Sequence, residues 1–133
     1  MNILFIEDDL IETMKLHRAL KKVPGKHLVT EAKNGEEALE ILRSQGSIPD
    51  IILLDLNMPR MNGIEFLKIL KADDRLRYLP AIILTTSQNR VDLIECYRAG
   101  IAGYLIKPLK YEDYESRISC LIRYWEMNEL VKA

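Results

Sequence analysis

Cysteine and histidine are scarce in this chain of 133 residues, which contains two of each. Cys96 and Cys120 do not lie at zinc-site spacing, and His17 and His27 are too far apart in sequence to form a local metal motif. Two thiols also cannot build a disulfide framework, so a reducing cytoplasm is the expected compartment. We expect both thiols to be buried and free, and a lone disulfide between them is the alternative.

Long apolar runs are also absent. No uninterrupted run exceeds four residues, whereas a helix that crosses a bilayer needs about 20. The residues before Glu7 include no basic leader, so no signal peptide is expected. The net charge is only -1, from 19 basic and 20 acidic residues. This balance predicts no bulk attraction to nucleic acid or to an anionic membrane.

The composition is that of an ordinary globular protein, with 29% charged and 48% hydrophobic residues. Its length predicts a single domain over residues 1–133. Short apolar runs alternate with helical patterns along the chain. Strands are predicted at 3–6, 27–32, 50–55, 81–85 and 103–106, and helices at 11–23, 35–42, 64–72, 89–99 and 112–131. Such alternation predicts an α/β fold with a doubly wound parallel sheet.

Polar residues follow four of the predicted strands. Glu7 and Asp8 follow the first strand, and Asp55 ends the third. Thr85 ends the fourth, and Lys107 follows the fifth. Each has an ordinary explanation alone, as a helix cap, a turn residue, a strand residue or a surface lysine. Because the carboxyl ends of parallel strands share one edge, we expect these side chains to converge there.

The chemistry of such a cluster favours a bound cation. Neighbouring carboxylates repel one another, and a hard dication such as magnesium relieves that repulsion. Lys107 would add a second positive charge and Thr85 a hydroxyl. This combination suits phosphoryl transfer in which one carboxylate is the in-line nucleophile.

Four sequence blocks carry a resemblance to a known family. They are Ile-Glu-Asp-Asp at 6–9, Leu-Leu-Asp-Leu-Asn-Met-Pro-Arg-Met-Asn-Gly at 53–63, Ile-Leu-Thr-Thr-Ser at 83–87 and Gly-Tyr-Leu-Ile-Lys-Pro at 103–108. Together they resemble the response-regulator receiver domain of two-component signalling. The resemblance implies a five-stranded flavodoxin-like sheet in the order 2-1-3-4-5, with five helices. Residues 84–88, 73–76 and 124–125 are similar to those of stand-alone receivers that partner bacterial phytochromes.

The resemblance also implies roles for the residues at the predicted edge. Asp55 would accept the phosphoryl group and also bind Mg²⁺. Asp8 would bind the metal directly, Glu7 mostly through water, and Asn57 through its backbone carbonyl. The donor would be a sensor histidine kinase or a phosphotransfer protein, and turnover would be limited to self-phosphorylation and slow autodephosphorylation.

The remaining roles concern the response to phosphorylation. Lys107 would hold a phosphoryl oxygen, and its peptide bond to Pro108 would be cis. Thr85 would close on the phosphoryl group, and Tyr104 would turn inward with it.

Output is expected by docking or further phosphotransfer, because the residues after the last predicted helix are too few for an output domain. A homodimer through the fourth and fifth strands and the last helix is one such output. Tyr111, Tyr124 and Met127 are apolar residues left over on that helix. The alternative is that they only cover the same core.

Three other functions fit part of the pattern. A flavin carrier has this strand order, but it needs a phosphate-cradling loop where this chain has acids. An aspartate-based phosphatase needs a second aspartate at the position of Asn57, whose amide cannot exchange protons usefully. A docking module that no longer accepts phosphate is the third alternative, although the matched positions are all present.

Overall fold

The computed structural model describes residues 1–44, 46 and 48–131. In this part of the chain, strands and helices alternate throughout. The strands are β1 (Asn2–Ile6), β2 (Leu28–Ala32), β3 (Ile51–Leu54), β4 (Ala81–Thr85) and β5 (Gly103–Ile106), and the helices are α1 (Leu10–Leu20), α2 (Gly35–Arg43), α3 (Gly63–Ala72), α4 (Arg90–Ala99) and α5 (Tyr111–Glu126). The sheet is parallel, in the order β2-β1-β3-β4-β5. The expected doubly wound, flavodoxin-like fold is confirmed.

The sheet separates two apolar cores, because successive side chains of a strand point to opposite faces. Leu4 and Ile6 of β1 pack with α2, α3 and α4, whereas Ile3 and Phe5 pack with α1 and α5. Both faces of β1, β3 and β4 are therefore covered, which explains their uninterrupted apolar sequences. Each fully buried aliphatic or phenyl side chain contributes roughly 1.5–3 kcal/mol to folding.

The strand register brings the carboxyl ends of the central strands level with one another. Ile6 pairs with Leu54, and Leu54 pairs with Ile83. The ladder continues one residue further, since the amide of Asp55 donates to the carbonyl of Ile6 at 3.1 Å. Beyond β5, the amide of Lys107 likewise donates to the carbonyl of Thr85 at 2.8 Å. The polar residues after these strands therefore leave the sheet side by side.

Two helices end earlier than their patterns predict. The first was expected to reach residue 23 but ends at Leu20, where two tighter bonds take over, from Lys22 to Ala19 and from Val23 to Leu20.

The last helix was expected to reach residue 131 but ends at Glu126. Met127 and Asn128 also bond three residues back, and the Asn128 amide side chain donates to the carbonyl of Tyr124 at 2.8 Å. Side-chain capping of a terminal carbonyl satisfies the helix end without another turn.

The prediction that both cysteines are buried was wrong for one of them. Both are free, and Cys96 is buried in the core, but Cys120 is exposed. Ile118 and Ile122 of α5 face the core, and Cys120 lies between them, about half a helical turn around. Within the described part of the chain, no helix combines the length and apolarity that a membrane span requires.

Candidate functional site

The turn after β1 presents three acids in three different environments. Glu7 is buried, because its amide extends the ladder to the carbonyl of Ala32 at 2.9 Å and its side chain turns inward. Asp8 is exposed at the rim. Asp9 caps α1, with Oδ1 accepting from the amide of Ile11 at 2.8 Å, as the sequence pattern of a helix start predicts.

Glu7, Asp8 and Asp55 meet at the carboxyl edge of the sheet. One carboxylate oxygen from each lies within 4.8 Å of the other two. Burial raises the pKa of both Glu7 and Asp55, and the nearby Lys107 ammonium opposes that increase. The charge of Asp55 raises the pKa of Glu7 further, and the charge of Asp8 raises the pKa of Asp55 further. Three clustered oxygen donors fit a hard dication such as Mg²⁺.

Asn57 borders this cluster. It and Asp8 line the same open cleft, of about 410 Å³, beside the turn between β3 and α3. That turn is tight, because the amide of Gly63 donates to the carbonyl of Leu56 at 3.1 Å. A Cβ at Gly63 would lie 2.8 Å from the Asp55 carbonyl oxygen. The Asn-Gly pair in the sequence motif therefore lets α3 start directly against the backbone of Asp55.

Lys107 lies under the acid cluster rather than in solvent. Its Nζ is 3.0 Å from Glu7 Oε1 and 3.4 Å from Glu12 Oε2, and its side chain is 7% exposed. Burial works to lower the pKa of Lys107, but the charges of Glu7 and Asp55 outweigh it and the pKa is raised. The ammonium therefore stays charged. The sequence analysis missed Glu12, because an acid in the first turn of a helix has an ordinary explanation there.

Thr85 links Asp55 to the loop that follows β4. Thr85 is fully buried, and the interaction of its hydroxyl with the Asp55 carboxylate works to lower the pKa of that carboxyl. The same oxygen accepts from the amide of Ser87 at 3.2 Å. The threonine expected at this edge therefore contacts both the central carboxylate and the loop before α4.

Tyr104 contacts the same loop from β5. Its ring is half-buried against the core on the α2, α3 and α4 face, and its hydroxyl donates to the carbonyl of Ser87 at 3.0 Å. Burial raises the pKa of this phenol. Thr85 and Tyr104 are thus joined through a single residue, Ser87, whose contacts no sequence motif predicted.

One implied feature is wrong in this structure. The resemblance implies a cis bond between Lys107 and Pro108, but no peptide bond among the described residues is cis. The trans isomer is the ordinary preference of a bond before proline, by roughly 0.5–1 kcal/mol.

The profile of the response regulator receiver domain matches residues 3–119. The chain belongs to the response regulator receiver domain family. It is therefore a response regulator of two-component signalling. This membership sets aside the flavin-carrier and phosphatase alternatives.

Individual relatives agree with this assignment. A probable methanogenesis regulatory protein, FilR2 of Methanothrix harundinacea, is 35% identical over 127 residues, covering 92% of this chain and 82% of the relative. The phosphorylated cyanobacterial phytochrome response regulator RcpA superposes with a TM-score of 0.91 at 30% identity, covering 97% of this chain and 96% of that one. The Mn²⁺-bound form of the response regulator Rcp1 gives a TM-score of 0.89 at 30% identity, with 98% of each chain covered.

The family sets the general role of the protein. Receiver domains are phosphoacceptors rather than classical enzymes. They take the phosphoryl group from histidine kinases or phosphotransfer proteins. The expected similarity to phytochrome response regulators is confirmed.

Proposed function

We propose that Asp55 is the phosphoacceptor and that Mg²⁺ binds at the cluster of Glu7, Asp8 and Asp55. The observation that carries this proposal is the convergence of three carboxylates on a buried ammonium and a buried hydroxyl. In the transfer, an Asp55 carboxylate oxygen attacks the phosphorus of a phosphohistidine. The new O–P bond forms as the P–N bond breaks, and the histidine nitrogen keeps the electron pair.

The residues around Asp55 divide the remaining tasks. Lys107 holds a phosphoryl oxygen, and Thr85 donates to another once Asp55 carries the phosphoryl group as an acyl phosphate. The metal, when bound, supplies neutralisation of the developing negative charge. Because its ammonium is already in the field of Asp55, Lys107 provides this electrostatic support without long-range movement.

The metal ligands differ in how directly they serve. Asp8 and Asp55 bind Mg²⁺ directly, and Asn57 offers its backbone carbonyl. Glu7 acts mostly through water, because Oε1 accepts from Lys107 at 3.0 Å and Oε2 accepts from the amide of Asp9 at 3.2 Å. A site with few protein ligands and several waters is typical of magnesium.

Phosphorylation changes the docking surface through Thr85 and Tyr104. Both contact Ser87, so a shift of the threonine toward a phosphoryl oxygen alters the support of the tyrosine. The surface that responds is formed by β5 and α5, through which a partner or a second copy binds. The fourth strand, β4, was expected to contribute but is buried inside the sheet. The donor is a sensor histidine kinase or phosphotransfer protein in the cytoplasm, and the phytochrome-named neighbours make a phytochrome-type kinase the first donor to test.

The decisive experiment is intact mass measurement after incubation with a small phosphodonor and Mg²⁺. The wild-type protein gains one phosphoryl group, because the reactive carboxylate needs no kinase once a donor is present. Asp55→Asn gains none, since its amide is not a nucleophile under these conditions. Asp74→Asn, at a fully exposed carboxylate beyond the end of α3, is the control and reacts like the wild type. An unchanged mass gain in Asp55→Asn would move the phosphoacceptor elsewhere.

A further inference from the structure

Glu12, in the first turn of α1, has no assigned role, yet its carboxylate reaches the buried lysine of the site. Its Oε2 lies 3.4 Å from Lys107 Nζ, and its side chain is 20% exposed. We infer that Glu12 is a positioning residue, which holds the Lys107 ammonium from the α1 side so that it is available to a phosphoryl group. This inference rests on the proposed function of Asp55 and Lys107.

Glu12 does not make the capping-box hydrogen bond that is common for an acid at this helix position. Glu12 is the third residue of α1, where a carboxylate normally turns back to accept from the amide of the capping residue. That amide, of Asp9, instead donates to Glu7 Oε2 at 3.2 Å. The Glu12 carboxylate faces two lysines, with Oε1 at 3.5 Å from Lys15 Nζ and Oε2 at 3.4 Å from Lys107 Nζ.

Burial makes these two lysines necessary to Glu12. Its Oε2 is shielded from solvent and makes no hydrogen bond among the described residues. The neighbouring ammonium groups are therefore what offsets its charge, since an unpaired buried carboxylate is costly. Lys15 fixes the other oxygen, and its Nζ lies 4.7 Å above the ring of the buried Tyr114. With Oε1 held by Lys15, the other oxygen of the carboxylate, Oε2, is directed toward Lys107.

The two carboxylates that hold Lys107 are not equivalent. Glu7 shares its charge with the acid cluster, where its oxygen lies within 4.8 Å of those of Asp8 and Asp55. A dication in that cluster would draw on Glu7 and repel the ammonium. Glu12 is not part of the cluster, so a dication bound there would not compete directly for its carboxylate. When a dication occupies the cluster and weakens the attraction between Glu7 and Lys107, Glu12 therefore still holds the ammonium beside the metal site.

The test compares Glu12→Gln with a matched control. Glu115 Oε2 also lies 3.4 Å from a lysine, Lys22, and the Glu115 side chain is 24% exposed. Glu115→Gln therefore removes a similar ion pair away from the site. Both variants, and the wild type, are phosphorylated with a small donor at varied concentration in the presence of Mg²⁺.

We expect Glu12→Gln to raise the half-saturating donor concentration by roughly threefold to tenfold. Its maximal rate should fall as well, by roughly twofold to fivefold, because Lys107 also supports the negative charge that develops in the transition state. Glu115→Gln should leave both quantities within about twofold of wild type. Equal behaviour of the two variants would overturn the inference.

A second measurement does not depend on phosphorylation. In metal-free protein, the NMR signal of the Lys107 ammonium is the one that disappears in Lys107→Arg. Glu12→Gln should accelerate its proton exchange with water by roughly threefold or more, whereas Glu115→Gln should not. Unchanged exchange in Glu12→Gln would refute the positioning role. If even the wild type accepted no phosphoryl group, the proposed function would fail while this measurement still decided the role of Glu12.

Discussion

At the scale of single residues, the fold holds three carboxylates close to a single buried ammonium, so negative charge is in excess at the site. Glu7 and Asp55 are pushed toward protonation by burial, and Lys107 and the Thr85 hydroxyl counter that effect. One ammonium cannot offset three nearby carboxylates, so the cluster attracts a cation. Asp8 is the exposed member and the one without a hydrogen bond to Lys107 or to Thr85, which leaves its carboxylate open to a metal.

Asp8→Ala should therefore lower the affinity for Mg²⁺ by roughly tenfold or more, since one of few protein ligands is lost. Phosphorylation by a small donor should fall with it. In metal-free buffer the same variant should unfold at a higher denaturant concentration, because a repelling charge has been removed. Titration calorimetry and denaturant unfolding measure the two effects. Wild-type affinity in Asp8→Ala would show that Asp8 is not a ligand.

The two cysteines allow a further prediction at this scale. Burial raises the pKa of the Cys96 thiol to about 11, and the carboxylates of Asp92 and Glu95 add to that increase. Cys120 is exposed on α5. At pH 8 a thiol-alkylating reagent should therefore modify Cys120 alone in the folded protein, because the thiolate is the reactive form.

Both cysteines should react once the protein is unfolded, and peptide mass spectrometry distinguishes the sites. Cys120→Ser serves as the control and should incorporate no label in the folded state. Rapid labelling of Cys96 at pH 8 without denaturant would contradict its burial in the core.

At the scale of elements, the turn between β3 and α3 has the least room for change. A Cβ at Gly63 would lie 2.8 Å from the Asp55 carbonyl and 3.0 Å from Leu56 Cα, and backbone atoms cannot move aside cheaply. Gly63→Ala should lower the free energy of unfolding by roughly 1–3 kcal/mol. It should also slow phosphorylation, because the shift acts on the backbone of Asp55 itself.

Gly103→Ala is the matched control, since its Cβ would meet only Ile82 Cγ2 at an ordinary 3.7 Å. That variant should change the free energy of unfolding by less than about 1 kcal/mol. Denaturant titration of both variants decides the comparison. A Gly63→Ala protein as stable as Gly103→Ala would mean that the turn adjusts freely.

The positions of the strands were easier to predict from the sequence than the ends of the helices. The strands were predictable because β1, β3 and β4 are buried on both faces and have uninterrupted apolar runs. The weaker apolar pattern of residues 27–32 is consistent with the edge position of β2, whose residues are mostly exposed. The ends of α1 and α5 were not predictable, because their apolar stripes continue beyond the point where tighter backbone bonds and Asn128 end the helix.

Some residues of the site were likewise predictable from the sequence, and others were not. Residues directly after parallel strands were predictable, since topology alone brings Glu7, Asp55 and Lys107 together. Glu12 comes from a helix, and its sequence position is equally well explained by the helix dipole. Only the rotation of α1 against β5 and α5 reveals that it faces Lys107. Ser87 was likewise hidden, because its contact with Tyr104 is made by a backbone carbonyl.

At the scale of the whole molecule, Asp55 lies between two chains of contacts that leave the site in different directions. One passes through Lys107 to Glu12 and reaches the interface of α1 with α5. The other passes through Thr85 and Ser87 to Tyr104 on β5. The second chain approaches the proposed docking surface, where Tyr124 of α5 is also exposed. Phosphorylation can change that surface only by moving an intermediate group.

We propose that Thr85 is that group, because its hydroxyl interacts with Asp55 and accepts from the loop that supports Tyr104. A charge-assisted hydrogen bond to a phosphoryl oxygen is worth roughly 1.5–3 kcal/mol. A bias of that size shifts a two-state population about tenfold or more without locking it.

Thr85→Ala should therefore still accept a phosphoryl group on Asp55, but its association state and partner affinity should no longer depend on phosphorylation. Intact mass establishes the first point, and light scattering with partner titration establishes the second. Thr85→Ser, which keeps the hydroxyl, should retain most of the response. If phosphorylated Thr85→Ala associated like the phosphorylated wild type, the signal would have to leave Asp55 by the other route, through Lys107 and Glu12 to the α1 and α5 interface.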